Sequence, residues 1–150
     1  MSTFDPSTFL DATISEPSVR QPPLSPGDYH ATITDVKPRQ WSKKDDPSVT
    51  GIALDVTMKI EKDTNPGMPT GITQTTVTQG IMLNLTEGGA IDNAPGKNST
   101  LRRYREALDM NKAGDVFSPR NMIGRNLKVK IKHRMYEGEA YNEVDSVSAP

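Results

Sequence analysis

The chain has 150 residues, 33% of them hydrophobic, a mean hydropathy of -0.62, 12 prolines, no cysteine and a formal net charge of -1. That length suits one domain with a real core, while the low apolar content implies that part of it stays unfolded or turn-rich. Disulfides and thiolate metal sites are excluded, no apolar run approaches the roughly 18 residues of a membrane span, and the N-terminus lacks the regions of a signal peptide, so a soluble intracellular protein is expected.

Residues 1–27 are rich in Pro and Ser and read as an extended or flexible arm, anchored if at all by Phe4, Phe9 and Leu10. Residues 28–150 form the expected domain. From Tyr29 the pattern has period two, with Tyr29, Ala31 and Ile33 on one face and His30, Thr32 and Thr34 on the other. "PRQWSKKDDPS" reads as a polar loop. "GIALDVTMKI" is the cleanest half-buried strand: Ile52, Leu54, Val56, Met58 and Ile60 alternate with Ala53, Asp55, Thr57 and Lys59. A third, Thr-rich strand spans "ITQTTVTQGIMLNL", bent or bulged at Gly80. After a second long loop, Ser99 or Thr100 caps a helix with the stripe Leu101, Tyr104 and Leu108, and Gly114 stops it. "LKVKIKHRMY" is strand four and "AYNEVDSV" strand five, joined through "EGE". Three strands, a helix and two strands predict a mostly β fold: a five-stranded OB-like barrel with its helix between strands three and four. An open β-sandwich with one covering helix is the rival.

Near-neutrality hides strong segregation. Lys97 to Tyr136 carries net +8, while the flanking segments are net -5 and -4. A basic middle of this size points to phosphate or another polyanion. Its densest part is the row Lys128, Lys130, Lys132 and Arg134 on one face of strand four, which is either an edge-strand guard or an anion contact. An OB barrel binds oligonucleotides across strands two and three, between the loops joining strands one to two and four to five. Here those loops hold Arg39, Trp41, Lys43 and Lys44, and Arg134 with Tyr136. Cations that track phosphates beside rings that stack on bases are how unstructured single strands are held. Lys59 on strand two and Arg125 ahead of strand four complete the candidate nucleic-acid-binding set. Trp41 either stacks on bases or folds back over the barrel mouth, and Tyr136 either stacks or packs on its neighbouring strand. Arg102, Arg103 and Arg105 are equally compatible with a solvated helix face.

Signals for an enzyme are poor. "GGAIDNAPGKNST" invites comparison with a phosphate-binding P-loop, but the glycine spacing fails and Lys97 does not directly precede Ser or Thr. His30 and His133 lack ligand spacing, and the paired acids read as solvated. No catalytic residues, metal or cofactor are expected.

The elements "FDPSTFL", "PGDYHATI", "LRRYREAL" and "GRNLKVKIKHRMYEGEAYNEV" together resemble small phage-encoded single-stranded DNA-binding proteins of OB fold. The resemblance rests on Pro26, Gly27 and Tyr29 opening strand one, on Gly124, Leu127, Val129 and Ile131, and on Asn142 and Val144. These positions are structural and carry no residue-level binding map. The closing "NEVDSVSAP" departs from the long acidic tail of many replication-associated members. The resemblance implies a sequence-tolerant binder of single-stranded DNA in phage replication or recombination. It would act in the host cytoplasm with replication or recombination proteins as partners, either as a monomer or as a homo-oligomer. The alternative is a protein-interaction or virion-associated β module whose basic face docks an acidic protein. A third class is an enzyme accessory domain without chemistry of its own.

Overall fold

The computed structural model describes residues 4–150. Its strands are β1 (Gly27–Lys43), β2 (Asp46–Glu61), β3 (Gln74–Met82), β4 (Asn126–Tyr136) and β5 (Glu139–Ser148). They form one antiparallel sheet in the order β3-β2-β1-β4-β5. A short helix, α1 (Pro6–Leu10), lies in the N-terminal arm, and α2 (Ser99–Ala107) falls between β3 and β4. The mostly β architecture, the strand count and the helix position agree with the sequence reading. The sheet coils until β3 and β5 approach each other, but no ladder joins them, so the barrel is open.

β1 is long because it serves two partners. Residues 27–32 pair with β4, and residues 32–43 pair with β2. A bulge between Ile33 and Asp35, just past the end of the β4 pairing, bends the strand. Ile33 itself donates its N–H to Arg125 and accepts from the N–H of Gly124. Where β2 has diverged, the side chain of Asn65 takes its place: Oδ1 accepts from the His30 N–H and Nδ2 donates to the His30 carbonyl. Asn65 is itself buried, and its amide also reaches the Glu61 carbonyl. One side chain thus satisfies both backbone groups of a strand residue.

The alternation read in β1, β2 and β4 places Tyr29, Ala31, Ile33, Leu54, Val56, Met58, Ile60, Leu127, Val129 and Ile131 in one core. α2 closes one end of it with Leu101, Tyr104 and Ala107. Tyr104 is fully buried, and its hydroxyl donates to Gln79 Oε1 at 2.5 Å. Burial pushes its pKa up, which keeps the hydroxyl a donor at any ordinary pH.

Four local expectations are corrected. "PRQWSKKDDPS" is a strand hairpin rather than a loop: β1 runs through Trp41 to Lys43 and turns only at Lys44–Asp45. Gly80 makes no bulge, since the β2–β3 register is continuous through it. Asn98, in the left-handed region at φ 53°, precedes α2 in place of Ser99 or Thr100 as the cap. The helix ends at Ala107, where Asp109 rather than Gly114 follows in the left-handed region at φ 58°.

The arm divides in two. Phe4, Phe9 and Leu10 are exposed and anchor nothing to the barrel. The anchor is Leu24, fully buried, whose N–H donates to Asn142 Oδ1 at 2.8 Å. Its carbonyl sits 2.6 Å from His133 Nε2, and because a carbonyl only accepts, that nitrogen carries the proton. Just upstream, Arg20 donates to the Ala140 carbonyl, pairs with Glu139 at 3.4 Å and lies 4.2 Å over the Tyr141 ring. Gln21 donates to the Gln74 carbonyl at the start of β3. Residues 20–24 therefore strap β5 to β3 across the open seam.

Three outcomes follow for stability. Removing residues 1–18 leaves the unfolding free energy near its original value, whereas Leu24→Ala lowers it by about 2–5 kcal/mol, both read by chemical denaturation. Asn65→Ala strands the His30 N–H and carbonyl and costs about 1–3 kcal/mol in the same measurement.

Candidate nucleic-acid interface

Leu127, Val129 and Ile131 point into the core, so Lys128, Lys130, Lys132 and Arg134 share the outer face of β4. β4 lies between β1 and β5. The first two lysines therefore do not guard a free edge. Lys128 stands opposite His30 on β1 and Ser148 on β5, and Lys130 opposite Asp28 and Ser146. Neither makes an ion pair among the described residues. Lys132 differs, lying 3.5 Å from Asp145. Arg134 faces Tyr141, its guanidinium 5.9 Å from the ring centroid, and Tyr136 meets the same ring edge-on at 6.4 Å. Tyr136 remains 57% exposed beside the tight Glu137–Gly138 turn, whose two residues both have positive φ.

At the far end of β1 the outer face continues through Lys37, Arg39 and Trp41. Arg39 is paired with Asp55, Nε to Oδ2 at 2.9 Å, and that hydrogen bond raises its pKa. The pair lies over Gly80, where an added Cβ would come within 3.3 Å of both side chains. Gly80 is thus a clearance residue. Trp41 pairs across the hairpin with Gly51 and lays its indole on it, so that a Cβ at position 51 would fall 2.4 Å from the ring. The ring is half-buried, and its Nε1–H is covered without a partner. Lys43 and Lys44 are exposed at the tip, free of ion pairs among the described residues.

Between the two ends, a hollow of about 450 Å³ opens on the outer face, lined by His30, Thr32, Lys59, Glu61, Asn126 and the terminal Pro150 among others. Lys59 borders it but is committed to Glu61 at 2.7 Å. Thr32 donates to Asn126 Oδ1 beside it. His30 and Asn126 were not among the expected contacts. Their polar positions on the outer face of alternating strands are the only sequence signal for them. Arg125 lines an adjoining hollow with Ala107, Asp109 and Gly124 near the end of α2, which shares Asn126 and Pro150 with the first.

The structure thus gathers Lys128, Lys130, Lys132 and Arg134 on one strand face, with Lys59 across β1 from them. It sets Arg39, Trp41, Lys43 and Lys44 on one hairpin and Tyr136 on the other. From the register the two hairpin tips lie at opposite ends of β1 and flank the face rather than meet. Acids neutralise Arg39, Lys59 and Lys132 directly. Lys43, Lys44, Lys128, Lys130 and Arg134 make no ion pair among the described residues, although Asp46 faces Lys43 and Asp28 faces Lys130 across the ladders. Among the described residues no group of three or more His, Asp or Glu side chains gathers to hold a metal, and no helix is long and apolar enough to cross a membrane.

Gly51→Ala tests the hairpin geometry. The added methyl drives the indole off the strand, so emission of the only Trp shifts to longer wavelength and acrylamide quenches it faster. Unchanged emission would show that the ring does not rest on Gly51. No family model matches the chain, and no curated protein matches it.

Proposed function

We propose that the protein binds single-stranded DNA without strong sequence preference along the outer face of β1, β2 and β4. One observation carries this reading: Lys128 and Lys130 stand on an interior strand with no ion pair among the described residues, and only Lys130 has an acid, Asp28, across the ladder. Two like charges placed there repel each other and add nothing to the core, and an interior strand needs no guard against edge pairing. A phosphate chain supplies counter-charge to both lysines. Arg134, Lys43 and Lys44 extend the positive track toward both hairpins. Trp41, seated on Gly51, would offer its opposite side to a base, and Tyr136 would do the same at the other tip. A role in phage replication or recombination, in a host cytoplasm and alongside replication or recombination proteins, rests on the resemblance of the strand motifs described above.

A second reading is favoured by a different feature. Phe4, Phe9, Leu10, Ile14 and Val19 are all exposed in an arm that carries Asp5, Asp11 and Glu16 and no base before Arg20. Such a segment suits contact with another protein, as a β module that docks partners would require.

Binding to labelled oligo(dT) should weaken linearly in log-log form with salt, by about 0.7 per neutralised phosphate. Lys128→Gln with Lys130→Gln lowers that slope by about 1.4 and weakens all sequences alike. Trp41→Ala costs about 1–3 kcal/mol of affinity, and saturating oligo(dT) quenches the wild-type indole. An affinity indifferent to salt removes the reading and leaves the docking module in its place.

A further inference from the structure

A second basic site lies away from the sheet face. The loop from Asn84 to Asn98 is long, yet it is held rigidly. Asn84 and Asn98 each accept the other's backbone N–H through their side-chain oxygens, at 2.8 and 3.1 Å. The Asn98 amide then donates to the carbonyls of Asn84 and Asp92. Asn98 is buried and fully satisfied by this clamp. The ordering sets Lys97, one residue away, at the mouth of a cavity of about 360 Å³. The opposite wall is equally fixed: Asp115 Oδ2 accepts the Lys112 N–H, and Asp115 donates back to the Lys112 carbonyl.

Arg105 enters the same cavity half-buried. Its guanidinium lies 4.7 Å over the Phe117 ring, and its Nε donates to the Met110 carbonyl at 3.2 Å. Those contacts fix the plane of the guanidinium and leave both η nitrogens without an ion pair or hydrogen bond among the described residues. Arg102 also borders the space but is paired with Glu106 at 3.3 Å. Asn93 and Asn111 add amides to the wall; Asp115 is the one carboxylate on it, engaged as above. A partly desolvated, pre-oriented guanidinium with its fork unused is a ready receptor for an oxyanion. The ordered loop from Asn84 to Asn98 points the same way, since ordered loops of this length are usually functional.

We propose that this cavity binds a phosphate group, taken by the η nitrogens of Arg105 and by Lys97 Nζ, as a site separate from the sheet face. The donor set fits phosphate whether it comes from a mononucleotide or from inorganic pyrophosphate. The Gly96–Lys97 stretch that fails as a P-loop by spacing would therefore contact phosphate through a side chain rather than a backbone cradle.

The test is a ¹⁵N–¹H titration of the full chain at constant ionic strength, with pyrophosphate, dTMP and oligo(dT) as separate arms. Saturable movement of the Gly96, Lys97, Arg105 and Phe117 amides with pyrophosphate or dTMP is expected. Tighter dTMP binding identifies a nucleotide ligand, and equal binding identifies phosphate alone. Lys97→Ala and Arg105→Gln should each weaken it about tenfold. Lys97 is exposed, so its variant decides the matter if Arg105→Gln disturbs the fold. Absence of saturable shifts, shifts confined to β4, or wild-type affinity in Lys97→Ala would each overturn the site. Oligo(dT) binding lost while the cavity still titrates would sink the single-strand reading alone.

Discussion

The architecture depends on β1 satisfying two neighbours that cannot both follow it. A sheet coiled this tightly pulls β2 away from the first residues of β1 while β4 stays with them. Unpaired buried backbone groups cost free energy on the scale of a lost hydrogen bond. The bulge at Ile33–Asp35 solves the geometry and Asn65 solves the pairing. Only because β1 bends and remains bonded on both sides do β2 and β4 belong to one curved face. The hollow beside Thr32 and the lysine row both lie along that bend.

On this face, charge is distributed by cancellation as much as by placement. Asp55, Glu61 and Asp145 each hold a cation of the outer surface, and these pairs are at least partly exposed. Exposed pairs contribute little to stability, yet they remove their cations from competition for a ligand. The cations left without an ion pair are therefore fewer than the count of basic residues implies, with Lys128 and Lys130 on β4 foremost among them. The same economy operates around α2, where Arg102 is neutralised and Arg105 is not.

Much of this was legible in the chain and some was not, for physical reasons. β2 was plain because five apolar residues recur at period two, and four of them, Leu54, Val56, Met58 and Ile60, lie in the core. The distal part of β1 was hidden because its hairpin extends beyond that core: neither Arg39 nor Gln40 is buried, so the alternation that marks a strand disappears. Proline at position 38 added a misleading break. Leu24 was overlooked because a single buried residue in a proline-rich stretch has no period at all. The ion pairs that divide the candidate cations were beyond reach for a different cause. Most of them depend on register between strands, and register is a tertiary property that no single strand encodes. The end of α2 was misplaced because a left-handed residue was sought at glycine, although Asp adopts that conformation at modest cost.

The strap across the seam also has a consequence in time. Arg20 and Leu24 bond to Ala140 and Asn142, partners 120 and 118 residues away along the chain. Contacts of such separation form slowly, because the closure entropy of the intervening chain must be overcome first. During synthesis the strap emerges early and waits until β5 has left the ribosome. Until then the seam between β3 and β5 is unstrapped. The final seal on this barrel is thus a kinetic event that follows the synthesis of β5, and newly made chains are most vulnerable to misassembly just before it occurs.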